Sequence, residues 1–218
     1  MFFQTSGANL YYEKCGLGKP LILLHGNGES HEIFNKAIPL LAQKFTVYAI
    51  DSRGHGKSSA ASDFHYAEMA QDIHEFICGL DIDNPIVYGF SDGGIIALLL
   101  AIHYPGSISQ IIASGVNATP NGIKFGWLTL FKLYYLFKKT PLFKLMLTEP
   151  NITSNMLSEI KIPVCVIGGS RDMIKTQHMK WIAENVSDGK FILLKGETHS
   201  SYVINNEKLA DIIIEQIK

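Results

Sequence analysis

The chain has 218 residues, of which 47% are hydrophobic, 18% charged and 11% aromatic, and its net charge is −1. A chain of this length and apolar content builds one α/β domain around its own core without a disulfide or metal staple. Near-zero net charge argues against disorder and a nucleic-acid partner, and with Arg53 and Arg171 the only arginines among 19 basic residues there is little bidentate phosphate-reading chemistry.

Residues 2–5 and 10–14 flank Gly7-Ala8-Asn9 and read as an antiparallel hairpin at a sheet edge. Six apolar runs follow, at 21–24, 46–50, 86–88, 111–113, 164–167 and 191–194. Each is apolar throughout rather than alternating, the pattern of parallel strands covered on both faces. Between them the sequence predicts helices over about 30–43, 66–80, 93–104, 175–185 and 206–217. Alternating strands and helices specify a doubly wound, mostly parallel eight-stranded sheet, one domain over 1–218. One interval is too long for a crossover, and a reduced helical cap is expected at about 117–160. Its segment 117–148 carries five lysines, no acid and seven of the chain's aromatic side chains. Such an insertion belongs on the edge where the strands end and ligands bind.

Cys15, Cys78 and Cys165 are far apart and odd in number, as expected of reduced thiols rather than a disulfide framework or zinc site. The first residues lack the basic and apolar regions of a secretion signal. The longest apolar run, Ile95 to Ile102, is far short of a membrane span. A cytoplasmic protein is expected.

Chemistry concentrates after the strand at 86–88. Gly89-Phe90-Ser91-Asp92-Gly93 is a G-x-S-x-G sequence followed directly by a helical pattern. In that context the motif is a sharp elbow that holds a serine hydroxyl clear of the sheet, at a helix N-terminus. An ordinary glycine-rich turn with a capping serine is the plainer reading of the motif taken alone. A nucleophilic serine needs a base, and the base a carboxylate. No acid stands between Gly93 and Thr148, so the carboxylate must come later. Asp172 follows the strand at 164–167 and His199 follows the strand at 191–194, giving the chain order Ser91, Asp172, His199. For the oxyanion, the expected donors are the backbone N–H groups of Asp92 and of Asn27, in His25-Gly26-Asn27-Gly28 after the first parallel strand. His25 reads as a brace for that loop. Asp92 reads either as a helix N-terminal acid or as a recogniser of a substrate ammonium group.

These motifs, in this order over nearly the whole chain, resemble the α/β-hydrolases of the compact, cofactor-free kind. Leu23-Leu24-His25-Gly26, the segment from Asp51 to Ser58, the Ser91 elbow, Gly168 to Asp172 and the His199 loop all fall in family order. The elbow is most similar to that of biphenyl-hydrolase-like esterases, some of which prefer amino-acid esters. The resemblance makes 51–58 a structural loop containing Arg53 and His55. Dehalogenases and epoxide hydrolases of this fold place an aspartate where this chain has Ser91. Two features depart from the pattern: Thr198 precedes His199 where glycine is usual, and the cap is short.

The expected function is a serine hydrolase acting on a small carboxylic ester or thioester, with Trp127, Phe131 and Tyr134 as pocket walls. No cofactor or metal is expected, since phosphate-loop, dinucleotide and paired-histidine spacings are missing. Carbon–carbon bond hydrolysis, acyl transfer and perhydrolysis use the same triad and stay open, as does a non-catalytic receptor of this fold. The basic aromatic segment 123–147 is read chiefly as a lid, with membrane contact as the alternative.

Overall fold

A computed structural model describes residues 1–217. Strands β1 (Phe2–Gln4), β2 (Asn9–Cys15), β3 (Lys19–Leu24), β4 (Phe45–Ile50), β5 (Ile86–Phe90), β6 (Gln110–Ser114), β7 (Val164–Gly169) and β8 (Gly189–Leu194) form one sheet in the order β1-β2-β4-β3-β5-β6-β7-β8. From β4 to β8 every pairing is parallel, and β1 and β2 are antiparallel at one edge. The expected eight-stranded, doubly wound fold is the observed one.

Among the described residues eight α-helices surround the sheet: α1 (Ile38–Leu41), α2 (Tyr66–Gly79), α3 (Asp92–His103), α4 (Phe125–Lys138), α5 (Pro141–Thr148), α6 (Ser154–Ser158), α7 (Thr176–Glu184) and α8 (Lys208–Gln216). The helix expected over 30–43 is instead a short 3-10 turn, His31–Phe34, followed by α1. Pro39 accounts for the break: its ring removes a backbone donor and is tolerated only in a helix's first turn.

Alternation within the strands divides the core into two layers. Ile22, Leu24, Val87, Ile111 and Val166 point to the face covered by α2, α3 and α7. Leu21, Leu23, Ile86, Ile112 and Ile167 point to the face covered by α1 and α8. Helix α3 is apolar on all sides and buried from Ile95 through Ala101, which fixes the elbow ahead of it.

Register brings the strand ends together. Phe90 pairs with Ser114, Ser114 with Ile167, and Gly169 with Leu194. The loops after β3, β5, β7 and β8 therefore meet on one edge, with α4, α5 and α6 inserted between β6 and β7.

Candidate active site

Ser91 is where β5 turns into α3. Its backbone lies at φ 52°, ψ −112°, a strained conformation for a residue with a side chain. Its N–H is held by the Ser114 carbonyl at 2.8 Å. The turn is possible because its flanks are bare: a Cβ on Gly89 would meet the Gly93 carbonyl oxygen at 2.2 Å, and one on Gly93 the Leu24 carbonyl oxygen at 2.2 Å.

His199, in the loop after β8, lies with Nε2 3.1 Å from Ser91 Oγ and Nδ1 2.7 Å from Asp172 Oδ1. An ionised Asp172 only accepts hydrogen bonds, so the ring proton belongs on Nδ1, and Nε2 is left to accept from the serine hydroxyl. Asp172 is fully enclosed, and Oδ1 also accepts the Ile174 N–H at 2.9 Å, which fixes the carboxylate plane. The Phe90 ring packs 4.9 Å from the imidazole. The three side chains come from three loops, and the structure brings them within hydrogen-bond reach of one another.

Asn27 and Asp92 flank the serine. Among the described residues neither backbone N–H has an acceptor within the protein, and that of Asp92 opens α3, where helix N–H groups are free. The Asn27 side chain donates to Asp92 Oδ2 at 2.9 Å and to the Leu142 carbonyl at 3.4 Å, tying the loop after β3 to the elbow and to α5. Burial raises the Asp92 carboxyl above its ordinary range, against the opposing bonds of Asn27 and Tyr66. Asp92 is thus in the first turn of α3, with its carboxyl accepting from Asn27 and lining a small cavity beside Ser91.

His25 holds the same loop from beneath. Its Nε2 accepts the Ser52 N–H at 3.0 Å, so Nδ1 carries the proton and donates to the Gly26 carbonyl at 2.8 Å. Burial lowers its pKa from 6.5 to about 4. Asp51 fixes the neighbouring loop, accepting from the His31 and Lys57 backbone N–H groups, while Arg53 pairs with Asp72 and Glu68 away from the cavity.

A cavity of about 490 Å³ opens over Ser91 and His199, within the usual range for small-molecule sites. Its walls are mostly apolar: Phe131 from α4, Leu142, Phe143 and Met146 from α5, with Met173 and Ile204 from flanking loops. Of the three expected wall residues, Phe131 alone lines it. Trp127 and Tyr134 are 45% and 43% exposed and stand outside. The correction has a geometric cause: α4 turns Leu128, Phe131 and Tyr135 inward, each half-buried, and Trp127 and Tyr134 fall on the flank of that face.

Glu29 is the polar wall residue that sequence reasoning missed. Its carboxyl accepts the Gly26 N–H at 2.9 Å and lines the cavity, and burial raises its pKa above the ordinary value. The available signal was its position two residues beyond the Gly26-Asn27-Gly28 run.

Comparison with known proteins bears on the family and the fold. A family model described as alpha/beta hydrolase fold matches residues 19–145. A pimeloyl-[acyl-carrier protein] methyl ester esterase of Edwardsiella ictaluri is 31% identical over 104 residues, covering 47% of this chain and 39% of the relative. A soluble epoxide hydrolase of Corynebacterium is 38% identical over 99 residues, covering 45% and 35%. The chain spans less than half the length of these curated relatives. Among solved structures, an N-acyl homoserine lactone degrading enzyme superposes with a TM-score of 0.84 at 19% identity, covering 100% of both chains. At that identity the likeness concerns the fold.

Proposed function

The chain belongs to the alpha/beta hydrolase fold family, and from that premise we propose that it is a serine hydrolase cleaving a small carboxylic ester or thioester through an acyl-enzyme on Ser91. The observation that supports this most is the run of hydrogen bonds from Asp172 through His199 to Ser91.

His199 Nε2 takes the Ser91 hydroxyl proton as Oγ attacks the substrate carbonyl carbon. The resulting oxyanion is held by the backbone N–H groups of Asn27 and Asp92, donors of a kind worth roughly 3–4 kcal/mol each in a working site. Asp172 keeps the imidazole in the useful tautomer and stabilises it once protonated. His199 then gives the proton to the departing alkoxide or thiolate, the tetrahedral carbon collapses, and the acyl group stays on Oγ. Water attacks that ester with the same histidine as base, releasing the acid and restoring the serine. The apolar walls favour an acyl group with little polarity of its own. Asp92 accepts from the Asn27 side chain and does not line the larger cavity, so it is not the group that an ammonium-bearing substrate would meet there.

The test is initial hydrolysis of p-nitrophenyl acetate and p-nitrophenyl octanoate by the wild-type protein and by Ser91→Ala. Turnover is expected to fall by about a thousandfold or more in the variant. Retention of most of the hydrolysis would remove Ser91 from the mechanism.

A further inference from the structure

Helix α4 combines an apolar composition with a lack of burial. Ten of its fourteen residues are apolar or aromatic, yet none is buried. Phe125, Trp127, Leu130, Leu133, Leu136 and Phe137 are between 45% and 85% exposed. At about 100° per residue, these side chains occupy an arc of about 200°, on the side away from inward-facing Leu128, Phe131 and Tyr135, with the Tyr134 ring near its edge packed on Phe143 of α5 at 4.4 Å. Lys132 and Lys138 stand at the two edges of that arc. A helix apolar on every side is a helix of a core or of lipid, and an exposed patch this continuous marks a contact surface.

Length and charge choose the occupant. Among the described residues no helix is long and apolar enough to cross a membrane, and fourteen residues reach only about 21 Å. A helix of this kind lies in the plane of a bilayer surface. The segment 117–148 holds five lysines and no acid. Lys124 donates to the Asp172 carbonyl and Lys144 pairs with Asp63, while Lys132, Lys138 and Lys139 have no acidic partner among the described residues. Aliphatic lysine stems at the rim of an apolar arc, with Trp127 and Tyr134 beside them, suit the boundary between acyl chains and anionic headgroups. A second copy fits poorly, since it would oppose like charges across the contact.

We propose that α4 seats the protein on an anionic bilayer surface, its apolar arc entering the acyl boundary while Lys132, Lys138 and Lys139 meet the headgroups. The cap of the cavity then rests against lipid, because Phe131 and α5 lie on the other side of the same element.

The experiment is co-sedimentation of the intact protein with sucrose-loaded vesicles of phosphatidylcholine alone, or of equal parts phosphatidylcholine and phosphatidylglycerol, in low salt. The anionic vesicles are expected to pellet the protein with a partition coefficient about tenfold or more above that of the neutral ones, falling as salt is added. Phe125→Ser with Phe137→Ser removes the two most exposed rings. That variant is expected to lose about tenfold or more of the partitioning, while its melting temperature and its hydrolysis of soluble p-nitrophenyl acetate stay as in the wild type. Protein that remains in the supernatant with both vesicles overturns the proposal. So does a dimer in solution that the double variant dissociates, with no vesicle binding by the wild type, since α4 would then join two copies. Partitioning reads out independently of turnover, so a failure of the esterase reading is visible separately.

Discussion

Acidification should loosen the loop that presents Asn27, and His25 sets the size of the effect. In the folded protein its Nε2 must stay unprotonated to accept the Ser52 N–H, and burial moves its pKa from 6.5 to about 4. Between those values the unfolded chain binds the proton and the folded one does not, so stability falls as pH falls. The contribution is complete above pH 6.5, lost progressively toward pH 4 and constant below. A displacement of this size, at about 1.4 kcal/mol per unit, corresponds to roughly 3 kcal/mol. No discount for solvent is needed, because the side chain is 1% exposed. The assay is equilibrium urea unfolding of the wild type and His25→Gln at intervals between pH 7.5 and 4. Glutamine does not titrate, and it cannot span both Ser52 and Gly26 as the ring does, so the variant is less stable near neutrality. Its deficit is expected to shrink by roughly 3 kcal/mol on acidification. Curves that run parallel across the whole range would refute the assignment of His25 as a neutral brace.

Three further outcomes follow from the site. Asp172→Asn should preserve the fold and lower kcat for p-nitrophenyl acetate by about 10³–10⁴-fold, because the amide no longer enforces the His199 tautomer. Phe131→Ala should lower kcat/KM for p-nitrophenyl octanoate by about tenfold through lost apolar contact, with acetate little changed. An equal fall on both esters would move the ring out of the acyl pocket. Glu29→Gln keeps an acceptor for the Gly26 N–H and removes a carboxyl whose pKa burial raises from 4.5. Melting temperatures of variant and wild type should therefore coincide in acid, and the variant should gain as pH rises through the raised pKa, where the wild type must ionise a buried group.

The sheet was legible in the sequence because runs such as 21–24 and 164–167 are apolar on both faces, and only parallel interior strands require that. Ser91, Asp172 and His199 were legible for a related reason: in a parallel sheet, residues that follow strands share an edge whatever their separation along the chain. The walls were not. Whether Tyr134 or Met146 faces the cavity depends on how α4 and α5 rotate against each other, and all their faces are apolar, so periodicity gives no direction. Glu29 was hidden similarly, since a carboxylate in a polar loop has nothing in its sequence to mark that it folds back onto Gly26. Pro39, by contrast, was a readable stop inside the segment 30–43.

The 108 residues between Ser91 and His199 also order the protein's assembly in time. A ribosome adding about 5–20 residues per second needs on the order of 5–20 s to pass from one to the other. Throughout that interval the nascent chain holds Ser91 without His199, which follows β8, the strand at the far edge of the sheet. On the proposed function, Ser91 therefore has no base to take its proton until β8 docks and brings His199 to it.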